Sequence, residues 1–152
     1  MRTAIFAILA AGLMATASAA QAETWWRLGK TTENSGLYID ADSIYIDDDG
    51  YGEYRGMFVY GELWTRDTGE KIRYEVLSME VDCMFGGLYE ERRKFYGDDR
   101  ALVFEQATGE AITTEPNKAS GWEEDFACGS ESEWRGKGYY PVSDPVSDSR
   151  GW

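Results

Sequence analysis

The sequence predicts an α+β domain: an antiparallel β-sheet of about five or six strands with one short helix near its C-terminal end. Three observations carry this. Aromatic and β-branched segments recur between turns built from Asp and Gly. A helix start signal appears once, late in the chain. Two cysteines, Cys83 and Cys128, follow a leader of the kind that directs a chain out of the cytoplasm.

The leader comes first. Arg2 supplies a positive n-region, and residues 4–15 (AIFAILAAGLMA) form an apolar run of h-region length. Ala20-Gln21-Ala22 fits the small-x-small cleavage rule before Glu23, with Ala17-Ser18-Ala19 as a second match. The run is too short to cross a hydrocarbon core of about 30 Å. The expected organisation is therefore a signal peptide over 1–22, a sheet domain over 23–129 and a disordered tail over 130–152. The exported part has about 130 residues, one domain's worth. The compartment expected is the periplasm, the cell surface or the extracellular space.

The mature sequence alternates strands with turns. Residues 23–30 make a first, tryptophan-rich strand. Residues 36–46 hold two apolar runs around a polar turn at Asp40-Ala41-Asp42-Ser43, and Asp47-Asp48-Asp49-Gly50 is a second turn. The clearest element is a hairpin of residues 53–64 and 71–83 around Asp67-Thr68-Gly69, with Gly in the αL position. Its regular register sets Arg66 opposite Glu70, Trp64 opposite Ile72 and Tyr60 opposite Val76. One face then carries Phe58, Tyr60, Trp64 and Tyr74, the other Met57, Val59, Leu77, Met79, Val81 and Cys83. Both faces are apolar, so both need cover. Residues 88–96 and 101–107 add two strands around Gly97-Asp98-Asp99. Ser120-Gly121-Trp122-Glu123 reads as a capping box opening a helix, with Trp122 and Phe126 on one face and Gly129 as a stop. Cys128 lies off that face, so either the helix ends before it or the bridge bends the last turn. Beyond Gly129 the chain is rich in Ser, Gly and Asp and shows no period, hence the expected disorder.

Composition narrows the function. The net charge is −13, which disfavours nucleic acid and anionic membranes and favours a basic partner. The chain has no histidine, the commonest general acid–base group. An even cysteine count in an oxidising compartment implies a Cys83–Cys128 bridge. Its loop of about 45 residues is worth roughly 4 kcal/mol of chain entropy. The acidic run from Asp40 to Asp49 fails the EF-hand pattern, which would need a ligand at Tyr51 and a Glu at Phe58. No nucleophile elbow, zinc motif or phosphate loop is present, and no metal or cofactor is expected.

A Trp-rich first strand (Trp25, Trp26), a Tyr38-Ile39-Asp40 and Ser43-Ile44 segment, a long hairpin ending in Asp82-Cys83, and a closing segment with Trp122 and Cys128 follow one another. This order resembles the surface-adhesin protein E family of small exported bacterial proteins, over about residues 25–128. The resemblance implies an antiparallel sheet with a C-terminal helix tethered to one face by the disulfide. It also implies adhesion to host extracellular proteins, and dimerisation. The function expected is a non-enzymatic binding module that uses the aromatic face of Phe58, Tyr60, Trp64 and Tyr74. It would bind a protein partner or a second copy in a homodimer, with no nucleic acid and no transmembrane segment. Two other readings stand beside it: an acidic inhibitor of a basic cell-wall enzyme such as lysozyme, and a small hydrolase.

Overall fold

The computed structural model describes residues 23–31 and 34–150. The expected signal peptide lies outside the described residues. Seven strands form one antiparallel sheet: β1 (Trp25–Lys30), β2 (Gly36–Ile46), β3 (Tyr51–Thr65), β4 (Lys71–Asp82), β5 (Leu88–Tyr96), β6 (Leu102–Ile112) and β7 (Tyr140–Val142), in the spatial order β6-β5-β4-β3-β2-β1-β7. The first six form a meander, because each turn is short enough to pair neighbours. The strand beyond the expected five or six is β7, which pairs Tyr140, Pro141 and Val142 with Arg27, Trp26 and Trp25.

Three helices flank the sheet: α1 (Ala119–Ala127), α2 (Glu131–Gly136) and α3 (Pro145–Ser149). α1 and α2 cover one face. Phe126 is fully buried there among Trp26, Leu37, Ile39, Leu77 and Met79. The Trp134 ring of α2 stacks on Phe126 with centroids 3.9 Å apart, and its Nε1 donates to the Phe126 carbonyl at 2.8 Å. α1 can lie close because Gly29 has no side chain: a Cβ there would stand 2.8 Å from the Trp122 ring. α3 covers part of the other face. Val146 packs with Trp25, Tyr38, Met57, Val59 and Tyr74, and the Tyr38 hydroxyl donates to Asp148 Oδ2 at 2.7 Å.

Cys83 and Cys128 are disulfide-bonded, with Cα atoms 5.5 Å apart. The bond ties the end of the β3–β4 hairpin to the end of α1. The helix runs to Ala127 and Cys128 is its C-cap, so the last helical residue precedes the cysteine.

Three expectations are corrected. The disordered tail is not found: residues 131–149 form α2, β7 and α3. These elements are too short to show a period, and they are held by burial of Trp134, Tyr139 and Val146. The polar turn at residues 40–43 is a bulge inside β2. Asp40 there is fully buried against the Arg55 guanidinium, and Ser43 Oγ accepts the Arg55 backbone N–H at 2.8 Å. The helix does not begin on Ser120. Its N-cap is Lys118, while Ser120 Oγ sits in the first turn and accepts the Glu115 N–H at 3.2 Å.

Candidate functional site

Phe58, Tyr60, Trp64 and Tyr74 do not form a common face. Between Val59 and Trp64, five residue steps on β3 oppose only two on β4, from Tyr74 to Ile72. The pairing Trp64↔Ile72 is as expected, but Tyr74 pairs with Val59, and Val76 pairs with Met57 instead of Tyr60. Every β3 residue beyond the bulge changes sides relative to β4 in a regular hairpin. Arg73 stabilises the bulge by donating to the Tyr60 and Gly61 carbonyls at 3.1 and 3.3 Å. Phe58 therefore joins the core beneath α1, and Tyr74 stacks on Tyr96, with centroids 4.8 Å apart, in the core beneath α3. Trp64 remains 42% exposed, its ring 5.9 Å from Phe95 and 6.0 Å from Tyr60.

The exposed aromatic surface lies at the opposite end of the sheet. There the β2–β3 turn, the β4–β5 connection and the end of β6 enclose an open cleft of about 890 Å³. Four of its aromatic side chains reach solvent: Tyr45 (63% exposed), Tyr51 (51%), Phe85 (80%) and Tyr89 (39%). Its floor is set by register. Tyr45 pairs with Glu53, Glu53 with Glu80, and Glu80 with Tyr89. One cross-strand row thus reads aromatic, acid, acid, aromatic. Strand alternation turns this row away from Tyr54, Met79 and Val81, which pack into the α1 core.

The turns fix the rim. Asp47 Oδ1 accepts the Asp49 and Tyr51 N–H groups at 3.0 and 2.9 Å, and Gly50 adopts φ 85°. Asp82 Oδ1 accepts the Met84 and Phe85 N–H groups, both at 2.9 Å, which projects Phe85 outward. The Cys83 N–H donates to the Gly50 carbonyl at 2.8 Å and locks the two turns together.

The field in the cleft is negative. Like charges directly opposite one another in a sheet repel, and Glu53 and Glu80 are such a pair. The Glu80 carboxyl is raised by its partial desolvation, by Glu91 and by Glu53. The Tyr51 hydroxyl is raised chiefly by Asp82. Arg and Lys are missing from the lining residues. Among the described residues no group of His, Cys, Asp and Glu gathers as a metal site, and no helix is long and apolar enough to cross a membrane.

Sequence reasoning passed over these aromatics because each is isolated: Tyr45 in a strand, Tyr51 after a turn, Phe85 in a connection. The signal beside them is an Asp that caps a turn: Asp47 between Tyr45 and Tyr51, and Asp82 before Phe85.

No family model matches the chain, and no curated protein matches it. Among solved structures, those of Haemophilus influenzae protein E are similar. Crystal form II of protein E is 14% identical, with 60% of this chain and 79% of that one covered and a TM-score of 0.48. A second protein E structure is 16% identical, with 68% and 83% covered and a TM-score of 0.48. Protein E from non-typeable Haemophilus influenzae is 13% identical, with 74% and 87% covered and a TM-score of 0.44. The likeness to protein E is one of fold.

Proposed function

We propose that the chain is an exported, non-enzymatic binding module that captures a basic protein segment in the aromatic–acidic cleft. One observation carries the reading: the row Tyr45–Glu53–Glu80–Tyr89, with Phe85 and Tyr51 at its rim, sets exposed rings around an uncompensated pair of carboxylates. Lys and Arg side chains suit such a surface twice. Their charge relieves the Glu53–Glu80 repulsion, and their stems and charged heads pack against aromatic rings. A contiguous exposed aromatic surface on a small domain is the usual mark of an interaction site. Export is supported by the leader sequence and by the disulfide. The net charge of −13 steers a basic partner toward the whole molecule.

The test uses immobilised protein and two soluble probes, lysozyme as a basic protein and serum albumin as an acidic one. Lysozyme is captured, albumin is not, and raising salt from about 50 to 300 mM weakens capture without abolishing it, because the aromatic contacts persist. Capture of albumin with equal affinity contradicts the reading. Inhibition of lysozyme turnover in the same assay would make this partner class a cell-wall enzyme.

A further inference from the structure

A second site lies on the other face of the sheet, beneath α1. A cavity of about 510 Å³ opens between the helix and strands β3–β5, with Phe58, Leu77 and Met79 as its apolar floor and the buried Glu90 and Glu123 with the half-buried Arg93 as its polar wall. Glu123 is 4% exposed, and its Oε1 has no hydrogen-bond partner among the described residues. The hydroxyl of Tyr54, 2% exposed, has none either. The two groups lie beside one another and Tyr54 favours the Glu123 carboxylate, but neither atom makes a well-formed hydrogen bond, which is costly for buried polar atoms unless something meets them.

The charges around them say what. Arg93 directs Nε and Nη2 to Glu90, Nε to Oε1 at 2.8 Å, and Nη1 to Glu75 at 3.2 Å. Glu75 and Glu90 are buried as deeply as Glu123. Glu75 and Glu90 thus share one guanidinium, which reaches the third buried carboxyl group, Glu123, through its charge alone. An anion entering this cavity meets three buried carboxyl groups and a single cation already paired with two of them. The remaining charged groups, Lys30, Glu115 and Lys118, stand at the solvent-exposed mouth, and Glu124 follows Glu123 on the helix. Gly56 leaves room beside Glu123: a Cβ there would lie 3.4 Å from Oε1.

We propose that this cavity binds a small primary amine with an apolar body, its ammonium meeting Glu123 and its body lying on Phe58, Leu77 and Met79. The ammonium is the second cation that the cluster lacks. Burial, and secondarily Glu90, push the Glu123 carboxyl up to about 8, with Tyr54 and Arg93 opposing. At pH 7 that carboxyl is therefore mostly protonated. An arriving ammonium keeps its own protons and stabilises the carboxylate, so Glu123 releases its proton to solvent. Binding tightens as pH rises toward 8.

The experiment is calorimetric titration of the disulfide-bonded protein at pH 7, in two buffers of different ionisation enthalpy, with hexylammonium, hexan-1-ol and hexanoate as probes. Hexylammonium binds with close to one proton released per ligand, hexanol binds at least about tenfold more weakly, and hexanoate gives no signal. Glu123→Gln weakens the amine at least about tenfold and removes the proton release. Phe85→Ala, in the open cleft, changes neither, which separates this site from the first. Equal affinity for amine and alcohol, amine binding without proton release, or no heat with any probe at millimolar concentration overturns the proposal. The proton count is read on the unmodified protein, so the outcome does not depend on the variant folding.

Discussion

Two groups of aromatic side chains sit at opposite ends of the same sheet and do different things. Near the β3–β4 turn, Trp64 leans on Tyr60 and Phe95, Phe95 stacks on Phe104 at 4.0 Å, and the Arg66 guanidinium lies 3.8 Å above the Phe104 ring. At the other end, Tyr45, Tyr51, Phe85 and Tyr89 have no ring partner among the described residues, and their cross-strand neighbours include Glu53, Glu80 and Asp82. The residue types are the same. The difference lies in the neighbours: rings beside rings complete one another, whereas rings beside carboxylates are left to a partner from outside. Counting aromatics does not find a binding surface. Asking what each ring already touches does.

The contrast depends on both faces being closed everywhere else, and it can be broken there first. Deleting residues 130–152 removes Trp134, Tyr139 and Val146 from the two cores and β7 from the sheet edge. At about 1.5–3 kcal/mol per buried side chain, the loss should exceed about 4 kcal/mol, a large share of a small domain's stability. A thermal melt unchanged by the truncation would reopen the Tyr74 side of the sheet as a surface. Single substitutions sharpen the contrast. Tyr74→Ala should cost about 3 kcal/mol in chemical denaturation, because Tyr74 stacks on Tyr96 within a closed core. Phe85→Ala should stay within about 0.5 kcal/mol, as expected of an exposed side chain. Equal costs would mean that the cleft is part of the core.

A smaller effect comes from Glu123. Its folded-state pKa, about 8, lies above the ordinary carboxylate value near 4.5. Between those values the folded state holds a proton that the unfolded state has lost. Its contribution is therefore fully present below pH 4.5 and fades as pH rises through 8, at up to about 1.4 kcal/mol per pH unit. Glu75 is raised in the same direction by burial. Denaturation curves from pH 5 to 8 should fall more steeply for the wild type than for Glu123→Gln. Parallel curves would place Glu123 in water.

Much of the fold was legible because its signals are local. The αL glycine of the β3–β4 turn is Gly69, at φ 95°, and the pairings Arg66–Glu70 and Trp64–Ile72 follow from it. The cysteine pair and α1 are also where the sequence puts them. What failed was non-local. The bulge at residues 60–63 depends on Arg73 reaching across the hairpin, and on the backbone at Asn34, whose carbonyl would stand 2.6 Å from a Cβ on Gly61. No period in β3 announces it, so the proposed face of Phe58, Tyr60, Trp64 and Tyr74 was split between two cores and an edge. The tail failed for the same reason. Its helices of six and five residues exist because Phe126 and Tyr38 give Trp134 and Asp148 something to bind. Two local clues were present: Ser130-Glu131-Ser132-Glu133, whose Glu133 carboxylate accepts the Ser130 N–H at 2.7 Å, and Asp144-Pro145, whose Asp144 carboxylate caps α3.

The most direct measurement compares Phe85→Ala with Trp64→Ala for capture of lysozyme at constant salt, each with a melt to establish folding. Phe85→Ala should lose about tenfold or more in affinity, at least about 1.4 kcal/mol, while Trp64→Ala stays within about twofold of the wild type. The opposite pattern, with Trp64 decisive and Phe85 indifferent, would contradict the account and return the binding surface to the β3–β4 turn.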